Sequence, residues 1–404
     1  MGRKRTLDTP PSNHTAFRTA ERLYKKSPAA SLAQLAFDPS RVVWETNAVE
    51  GRVRGVWTNS DGGVEECWKV RMGDLSGSGM GRGGFKGKER EGEGDWAVVV
   101  PRIPGLVLFP AVLPPALQRS LVVETLSHAR RPNLTNLDPF YTLPKGGLWS
   151  AWTEGRGEEV VPSFPFEEEE KEGTATPASG SGYGTPSTED TLEEVSVRLG
   201  KKREVTVREL LPKLRWNNVG YHYNWTTKLY EFERGHVPLP PLILRCCRDI
   251  VRATPWDQVF DGREATSGEA EEWRKWSEDY EPDAGIVNFY QIKDSLTGHV
   301  DQAEEDAVRP LVSFSLGHSS IFLVGGTTRD VPPLAILLRS GDGLCMSGPS
   351  RRAYHGLPRV LPDSLPDFLA STQPEPVDGA LDWRPYGEYL ERGARINVNV
   401  RSVY

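Results

Sequence analysis

The segment RINVNVR, residues 395–401, restricts the fold of this chain more than any other feature of its sequence. Because successive side chains of a β-strand point to opposite faces, four polar residues share one face: Arg395, Asn397, Asn399 and Arg401. Three aliphatic residues share the other face and predict a strand with its polar side turned into a closed β-structure. An unpaired buried arginine is costly, so two of them predict a bound dianion, a carboxylate partner, or both. The alternative is an ordinary strand with both arginines in solvent.

Short apolar runs separated by glycine-rich turns surround this strand in the last third of the chain. They are GIVNFYQI, PLVSFSLG, SSIFLVGG and LAILLRSGDGLCMSG, and their spacing is typical of a β-sandwich or barrel. Helical periodicity precedes them, at residues 114–126 and 240–251. Near the start, residues 16–26 predict a short helix with Phe17, Leu23 and Tyr24 on one face. Helices followed by strands predict an α+β fold with a β-rich core.

Two segments hold too few aliphatic side chains to pack into a core. Residues 73–94 contain nine glycines, and residues 152–196 carry 12 acidic and two basic residues, a net charge of −10. The formal net charge is −7, so the rest of the chain carries +3. The acidic balance therefore reflects one segment and does not exclude an anionic partner for the folded part.

The cysteine and hydropathy patterns point to an intracellular protein. Cys67, Cys246, Cys247 and Cys345 form no CxxC pair, so neither a disulfide framework nor zinc-ligand spacing is expected. No run approaches the roughly 18 apolar residues of a membrane span, and no apolar core typical of a secretory signal lies near the start. The sequence does not distinguish nucleus, cytoplasm and mitochondrion.

A candidate metal site consists of His299, Asp301 and His355. One residue separates His299 from Asp301, so an extended strand directs both side chains to the same face. Two histidines and one carboxylate leave three metal positions open, as in non-haem Fe(II) oxygenases. A structural zinc site would need four closed ligands. The alternative for the first two residues is an isolated surface pair. The dicarboxylate 2-oxoglutarate fits such a centre, with one end on iron and the other on an arginine.

Nine stretches keep a fixed order between residues 104 and 404: PGLVLFP, RPNLTNLD, LRWNNVGYHYNW, AGIVNFYQI, HVD, RPLVSFSLGHSSIFLVGG, RSGDGLCMSGPSR, YHGLPRVLP and RINVNVR. Through them the chain resembles the AlkB nucleic-acid dioxygenases, and most of all their eukaryotic AlkB homologue 1 branch. AFRTAERLYKK, near the start, is also similar to that branch.

The resemblance implies a double-stranded β-helix (jelly-roll) core with an N-terminal helical extension. Residues 1–96 are then an N-terminal extension with a short helix and a glycine-rich segment, and residues 97–151 begin the catalytic domain. An acidic disordered insertion occupies residues 152–205, and the dioxygenase domain proper occupies residues 206–404.

The resemblance also implies site residues. His299, Asp301 and His355 correspond to the Fe(II) ligands of the family. The expected 2-oxoglutarate pocket consists of Asn288, Tyr290, Arg395, Asn397 and Arg401. Asn399 stands where the family motif has threonine, a polar replacement expected to leave the pocket intact. Ala303 stands where bacterial AlkB carries an acidic contact to the alkylated base, so the bacterial base preference is not implied.

For the substrate, residues 216–225 resemble the nucleotide-recognition lid of the family. Base chemistry requires an extruded or unpaired base, and aromatic side chains stack on bases at about 1–3 kcal/mol each. We expect Trp216, Tyr221 and Tyr223 to contact substrate, with Arg329 as a further contact. At least one of the lid rings is expected to lie in the core instead.

The implied reaction is oxidative demethylation of bases in tRNA or DNA. It consumes O₂ and 2-oxoglutarate and releases succinate, CO₂ and formaldehyde. Two alternatives stay open: a protein or histone hydroxylase or demethylase on the same fold, and a non-catalytic nucleic-acid binder. No membrane partner is expected, and protein partners are not indicated.

Overall fold

The computed structural model describes residues 14–75, 77, 79–81, 95–164, 204–260, 272–301, 303, 304, 307–373 and 381–404. Its helices are α1 Ala16–Lys26, α2 Ala29–Leu35, α3 Pro115–Ser127, α4 Gly147–Thr153, α5 Val207–Leu210, α6 Pro241–Ala253, α7 Trp256–Phe260, α8 Trp276–Asp279 and α9 Arg384–Glu391. Its strands are β1 Val43–Val49, β2 Arg52–Thr58, β3 Val64–Arg71, β4 Trp96–Val99, β5 Leu106–Phe109, β6 Val160–Pro162, β7 Glu204–Thr206, β8 Trp216–Gly220, β9 Tyr223–Asn224, β10 Leu229–Tyr230, β11 Ala284–Tyr290, β12 Leu296–His299, β13 Leu311–Gly317, β14 Ser320–Val324, β15 Leu334–Leu338, β16 Gly343–Met346, β17 His355–Val360 and β18 Arg395–Arg401.

Two antiparallel sheets organise these residues. The larger runs in the order β1-β2-β3-β4-β5-β16-β13-β18-β11-β8, and the smaller in the order β12-β17-β14-β15. The strand pair β6–β7 and the hairpin β9–β10 form two separate two-stranded sheets. The prediction of mixed helix and sheet with a β-rich core is confirmed.

Strand β18 lies between β13 and β11 in the larger sheet. Its aliphatic residues Ile396, Val398 and Val400 are fully buried in the main core. The opposite face carries the polar residues of RINVNVR, with Arg395 opposite Tyr290 and Asn397 opposite Asn288 on β11. The alternation predicted from the sequence is confirmed.

Helices α3 and α6 cover the core and are joined by a carboxylate. Both Oε atoms of Glu124 on α3 accept backbone hydrogen bonds at the start of α6, from Leu242 N at 3.0 Å and Ile243 N at 2.9 Å. Pro240 precedes α6 without a side-chain cap, so Glu124 satisfies N–H groups that a helix start leaves unpaired.

The predicted N-terminal helix is confirmed as α1, but its buried face differs from the expected one. Leu23 is 50% exposed, while Phe17, Glu21 and Tyr24 are buried. The buried positions follow i, i+4, i+7 spacing, and a carboxylate lies among them because it accepts a backbone hydrogen bond from Gly298. Downstream, β1, β2 and β3 extend the larger sheet beyond β4, which the sequence did not predict.

Some described residues of the predicted low-complexity segments are buried. Leu75 and Met80 belong to the main core, although they lie in the glycine-rich segment. Val161 on β6 faces Val205 on β7, and both are buried. Residues 160–162 and 204–205, at the two ends of the predicted insertion, thus belong to the fold, while residues 82–94 and 165–203 lie outside the described part.

Within the described residues, no helix has the length and apolar character required to cross a bilayer. All four cysteines are described, buried and free of disulfide bonds.

Candidate active site

A cavity of about 320 Å³ is lined by strands of both sheets. Its polar wall comes from the larger sheet: Asn288, Tyr290, Ser313, Arg395, Asn397, Asn399 and Arg401. Its apolar wall comes from both sheets: Leu296, Leu311, Phe322, Leu338, Leu344, Met346 and Leu357. All five predicted 2-oxoglutarate residues line this one cavity.

The predicted metal ligands meet where β12 pairs with β17. His299 ends β12, His355 begins β17, and the two residues are directly opposite each other. Nε2 of His299 lies 3.5 Å from Oδ1 of Asp301, and Nε2 of His355 lies 4.0 Å from the same oxygen. One ligand atom from each residue lies within 4.8 Å of the other two, so a single ion can contact all three.

Backbone carbonyls orient both imidazole rings. Nδ1 of His299 lies 3.0 Å from the Thr297 carbonyl oxygen, and Nδ1 of His355 lies 3.1 Å from that of Ala353. A carbonyl oxygen only accepts, so each Nδ1 carries the hydrogen and each Nε2 lone pair is left for a metal. Burial, and next the nearby His299, lower the pKa of His355 to about 4, which keeps its imidazole neutral at pH 7.

Asp301 is held as a carboxylate by its neighbours. Burial favours the neutral acid, but Arg401 and His299 outweigh it and hold the pKa of Asp301 well below its ordinary value. Nη1 of Arg401 donates to Oδ2 of Asp301 at 2.9 Å. This contact occupies one carboxylate oxygen and leaves Oδ1 facing the two histidines.

The second inward arginine, Arg395, has no carboxylate partner among the described residues. Its side chain is 1% exposed, and Nη2 donates to Oγ of Ser315 at 2.8 Å. Nε and Nη1 have no protein partner in the described part of the chain. Burial lowers its pKa to about 10, which leaves the guanidinium charged at pH 7. A buried cation with two unused donors is the environment that an anionic ligand requires.

Two asparagines continue the polar wall from Arg395 toward Arg401. Nδ2 of Asn397 donates to Oγ of Ser313 at 2.7 Å, and Nδ2 of Asn399 donates to Oδ1 of Asn397 at 3.1 Å. The asparagine at position 399 therefore takes part in the wall, although the family motif has threonine there. Burial raises the pKa of Tyr290 to about 12, so its phenol keeps the proton it can donate.

Two further buried charged residues, Glu304 and Arg351, support the site, and the sequence did not predict them. Arg401 donates to Glu304 as well as to Asp301, and Arg351 pairs with Glu304. The side chains of Glu304 and Arg351 are both almost fully buried, so each charge depends on its neighbours for compensation. The only available signal was an acidic residue three positions after Asp301.

The predicted lid, residues 216–225, runs from β8 into the hairpin β9–β10, called the lid hairpin below, and the rings that line the cavity differ from the expected set. Tyr223 lines the cavity as predicted, together with Trp225 and Tyr230. Trp216 lies on β8 and packs against Trp225, with ring centroids 5.2 Å apart, outside the cavity lining. Tyr221 packs against Phe232 and is also outside the lining. The hairpin turn decides which rings face inward, and sequence periodicity does not reveal it.

Arg329 also lies outside the cavity lining. Its Nη2 donates to the Gly298 carbonyl oxygen at 3.2 Å, and its guanidinium lies 5.1 Å from the centre of the Tyr354 ring. The structure therefore places Arg329 as a support of β12, one residue before His299, and not among the residues that face the cavity.

Comparison with known proteins agrees with this geometry. Residues 185–401 match the family model of the 2OG-Fe(II) oxygenase superfamily. The tRNA demethylase abh1 of Schizosaccharomyces pombe is 30% identical over 307 residues, which cover 75% of this chain and 80% of that protein. This chain belongs to the AlkB family. Within it, the chain groups with AlkB homologue 1. The nucleic acid dioxygenase ALKBH1 of Mus musculus is 32% identical over 315 residues, or 74% of this chain and 64% of the mouse protein.

A plant relative of this AlkB chain is named for a different substrate. The DNA N(6)-methyladenine demethylase ALKBH1A of Arabidopsis thaliana is 31% identical over 215 residues. The match covers 52% of this chain and 56% of the plant protein.

The cavity of this AlkB protein fits the cofactors of its superfamily, which are Fe(II), 2-oxoglutarate and O₂. Two imidazoles and a carboxylate are the donor set of the Fe(II) oxygenases, with three metal positions left open. The two unused donors of Arg395 match the far carboxylate of 2-oxoglutarate.

Proposed function

We propose that this protein is an Fe(II)- and 2-oxoglutarate-dependent dioxygenase that demethylates modified bases in nucleic acid. One observation carries the proposal: Arg395, buried and lacking a carboxylate partner among the described residues, lines the same cavity as the His299–Asp301–His355 triad. A non-catalytic binder would need neither feature.

The residues proposed to bind iron and those proposed to bind 2-oxoglutarate lie mainly on different sheets. His299, Asp301 and His355 would hold the iron from one side, leaving positions for 2-oxoglutarate and O₂. Arg395 would pair with the far carboxylate of 2-oxoglutarate through charge-assisted hydrogen bonds. When bound, iron supplies the oxidising chemistry with O₂. Arg401 keeps one oxygen of Asp301 engaged and so fixes the direction of the other.

The overall reaction balances without another reductant. One oxygen atom of O₂ enters succinate as 2-oxoglutarate loses CO₂, and the other enters a C–H bond of the methyl group. The resulting N-hydroxymethyl group releases formaldehyde when its C–N bond breaks and the base nitrogen takes up the hydroxyl proton.

We also propose that the core is a double-stranded β-helix. From β11 to β18 the chain crosses repeatedly between the sheets: β11, β13, β16 and β18 lie in the larger sheet, and β12, β14, β15 and β17 in the smaller. Eight antiparallel strands divided between two facing sheets support a jelly-roll arrangement.

Nucleic acid is favoured as substrate by the lid and by the relatives. Tyr223, Trp225 and Tyr230 offer three aromatic rings at the cavity, suited to a base removed from its stack. The relatives are named for nucleic acid, tRNA and DNA substrates, so the polymer is left open between tRNA and DNA. The four buried thiols support an intracellular location.

Nucleoside mass spectrometry tests the proposal. Purified protein, Fe(II), ascorbate and 2-oxoglutarate are incubated with mixed tRNA and genomic DNA, with His299→Ala as the matched control. We expect one methylated nucleoside to fall, together with release of formaldehyde, only with the unsubstituted protein. Succinate without any nucleoside change would favour a protein substrate, and neither product would favour a non-catalytic binder.

A further inference from the structure

Aromatic rings continue from the lid hairpin onto the outer surface of the protein. Phe232 follows β10, and its ring centroid lies 6.2 Å from Tyr230. Tyr221 and Tyr404 pack against Phe232, at 5.0 Å and 5.5 Å. Tyr221, Phe232 and Tyr404 are called the outer shelf below. None of the three lines the cavity, but Tyr230 does, so a single ring joins the shelf to the cavity.

The shelf is exposed and yet held in place. Tyr404 is 89% exposed and Phe232 is 40% exposed. The carboxylate of Asp283 accepts hydrogen bonds from Val403 N at 2.8 Å and Tyr404 N at 3.1 Å, which anchors the segment that carries Tyr404. Large aromatic side chains fixed at the surface by backbone contacts, and not by burial, are typical of an interaction site.

The outer shelf lies beside the lid hairpin, and this position indicates which part of a substrate it would contact. A nucleotide whose base occupies the cavity is covalently joined to its neighbours, so the surface next to the lid must receive the flanking nucleotides. Aromatic rings at that surface offer faces on which unpaired bases of any identity can stack. Arg234, on the same segment, is about half exposed but donates to Glu231 at 2.8 Å, so stacking, and not phosphate binding, is the contact that this surface offers.

We propose that the outer shelf stacks the bases that flank the target nucleotide of an unpaired nucleic-acid strand. This inference rests on the proposed function, and it adds a second binding region outside the catalytic cavity. Substrate selection then depends on whether the neighbours of the modified base are free to stack, and a base within a continuous duplex is disfavoured.

Binding by substituted proteins and ligands of two lengths tests the shelf. The ligands are an unpaired RNA of roughly ten nucleotides with one methylated adenine, and the corresponding mononucleotide. Mn(II) replaces Fe(II) to prevent turnover, with 2-oxoglutarate present. The full-length chain is compared with Tyr404→Ala and Phe232→Ala, and with Tyr404→Phe as the matched control that keeps the ring.

We expect Kd for the longer RNA to rise about 5- to 150-fold in each alanine variant, which corresponds to about 1–3 kcal/mol per stacked base. Tyr404→Phe should bind like the unsubstituted protein, and the mononucleotide should bind all four proteins equally. The slope of log Kd against log salt should not change, because stacking neutralises no phosphate.

Three outcomes would overturn the proposal. If Tyr404→Ala and Phe232→Ala bind the longer RNA normally, the shelf does not contact the strand, while the proposed function stands. If Tyr404→Ala and Phe232→Ala raise Kd for the mononucleotide as much as Kd for the longer RNA, the rings act only by supporting the lid. If the unsubstituted protein binds no oligonucleotide, nucleic acid as substrate fails together with the shelf.

Discussion

The carboxylate of Glu21 accepts a hydrogen bond from the backbone N–H of Gly298, which lies 277 residues later in the chain. Gly298 directly precedes the proposed iron ligand His299. Phe17, one turn earlier on α1, covers the same glycine so closely that a Cβ atom there would lie 2.3 Å from its ring. The N-terminal helix therefore holds the strand that presents His299.

Replacing Glu21 tests this support. Glu21→Ala leaves the Gly298 N–H without its acceptor and Arg18 without the carboxylate 3.0 Å away, which should cost about 1–3 kcal/mol of stability. We expect weaker metal binding as well, because β12 is released. Glu21→Gln keeps an acceptor oxygen and should retain most of the affinity. Calorimetric titration with Mn(II) measures the effect, and equal affinities for all three proteins would contradict it.

Arg395→Met should separate stability from function. Removing a buried cation that lacks a carboxylate partner in the described residues should leave the thermal midpoint of the metal-free protein unchanged or higher. The same change should weaken 2-oxoglutarate binding about 10- to 150-fold, since it removes charge-assisted hydrogen bonds worth about 1.5–3 kcal/mol. Titration of 2-oxoglutarate and a melting curve provide the two readings. A lowered midpoint with normal 2-oxoglutarate affinity would assign Arg395 to the fold alone.

Glu304→Gln should weaken both stability and metal binding. Glu304 compensates Arg351 and Arg401 inside the protein, and breaking a buried ion pair on one side typically costs about 3–5 kcal/mol. The double change Glu304→Gln with Arg351→Met should recover part of that loss, because the unpaired cation is removed too. A double-mutant cycle in denaturant measures the coupling, and simple additivity would show that the two charges act independently.

The ion pair between Asp38 and Arg339 should make stability depend on pH. Burial of Asp38 opposes its ionisation, but hydrogen bonds from Arg339 and Ser40 outweigh this and lower its pKa. A lowered carboxyl pKa adds stability that is present above the unfolded-state value of about 3.9 and lost as pH falls through the folded-state value.

Asp38→Asn provides the measurement. At pH 7 it should cost about 1.5–3 kcal/mol of unfolding free energy, because Arg339 loses the carboxylate that accepts its two hydrogen bonds, at 2.8 Å and 2.6 Å. The difference between the two proteins should shrink steadily below about pH 4. Denaturant unfolding at several pH values checks this, and a difference independent of pH would contradict the sign.

The sequence predicted those parts of the site that depend on local periodicity and side-chain chemistry. Alternation along 395–401 predicted one polar and one buried face, and the spacing of His299 and Asp301 predicted a shared face. Both follow from the two-residue repeat of a strand. The helix at Ala16–Lys26 followed in the same way from its own repeat.

The parts that were missed depend on contacts between distant segments. The buried position of Glu21 follows from a backbone N–H on another element, which no amphipathic pattern shows. Identifying Trp225, and not Trp216, as the tryptophan that lines the cavity requires the direction of the lid hairpin. Glu304 becomes significant only once Arg351 is seen beside it.

The division of the site between two sheets has one further consequence. The proposed metal ligands belong to the smaller sheet and the loop after β12, whereas the proposed 2-oxoglutarate residues belong to β11 and β18 of the larger sheet. Before the two sheets pack together, the proposed metal ligands and the proposed 2-oxoglutarate residues are not adjacent. On the proposed function, oxygen activation coupled to 2-oxoglutarate therefore requires the two sheets to be packed together.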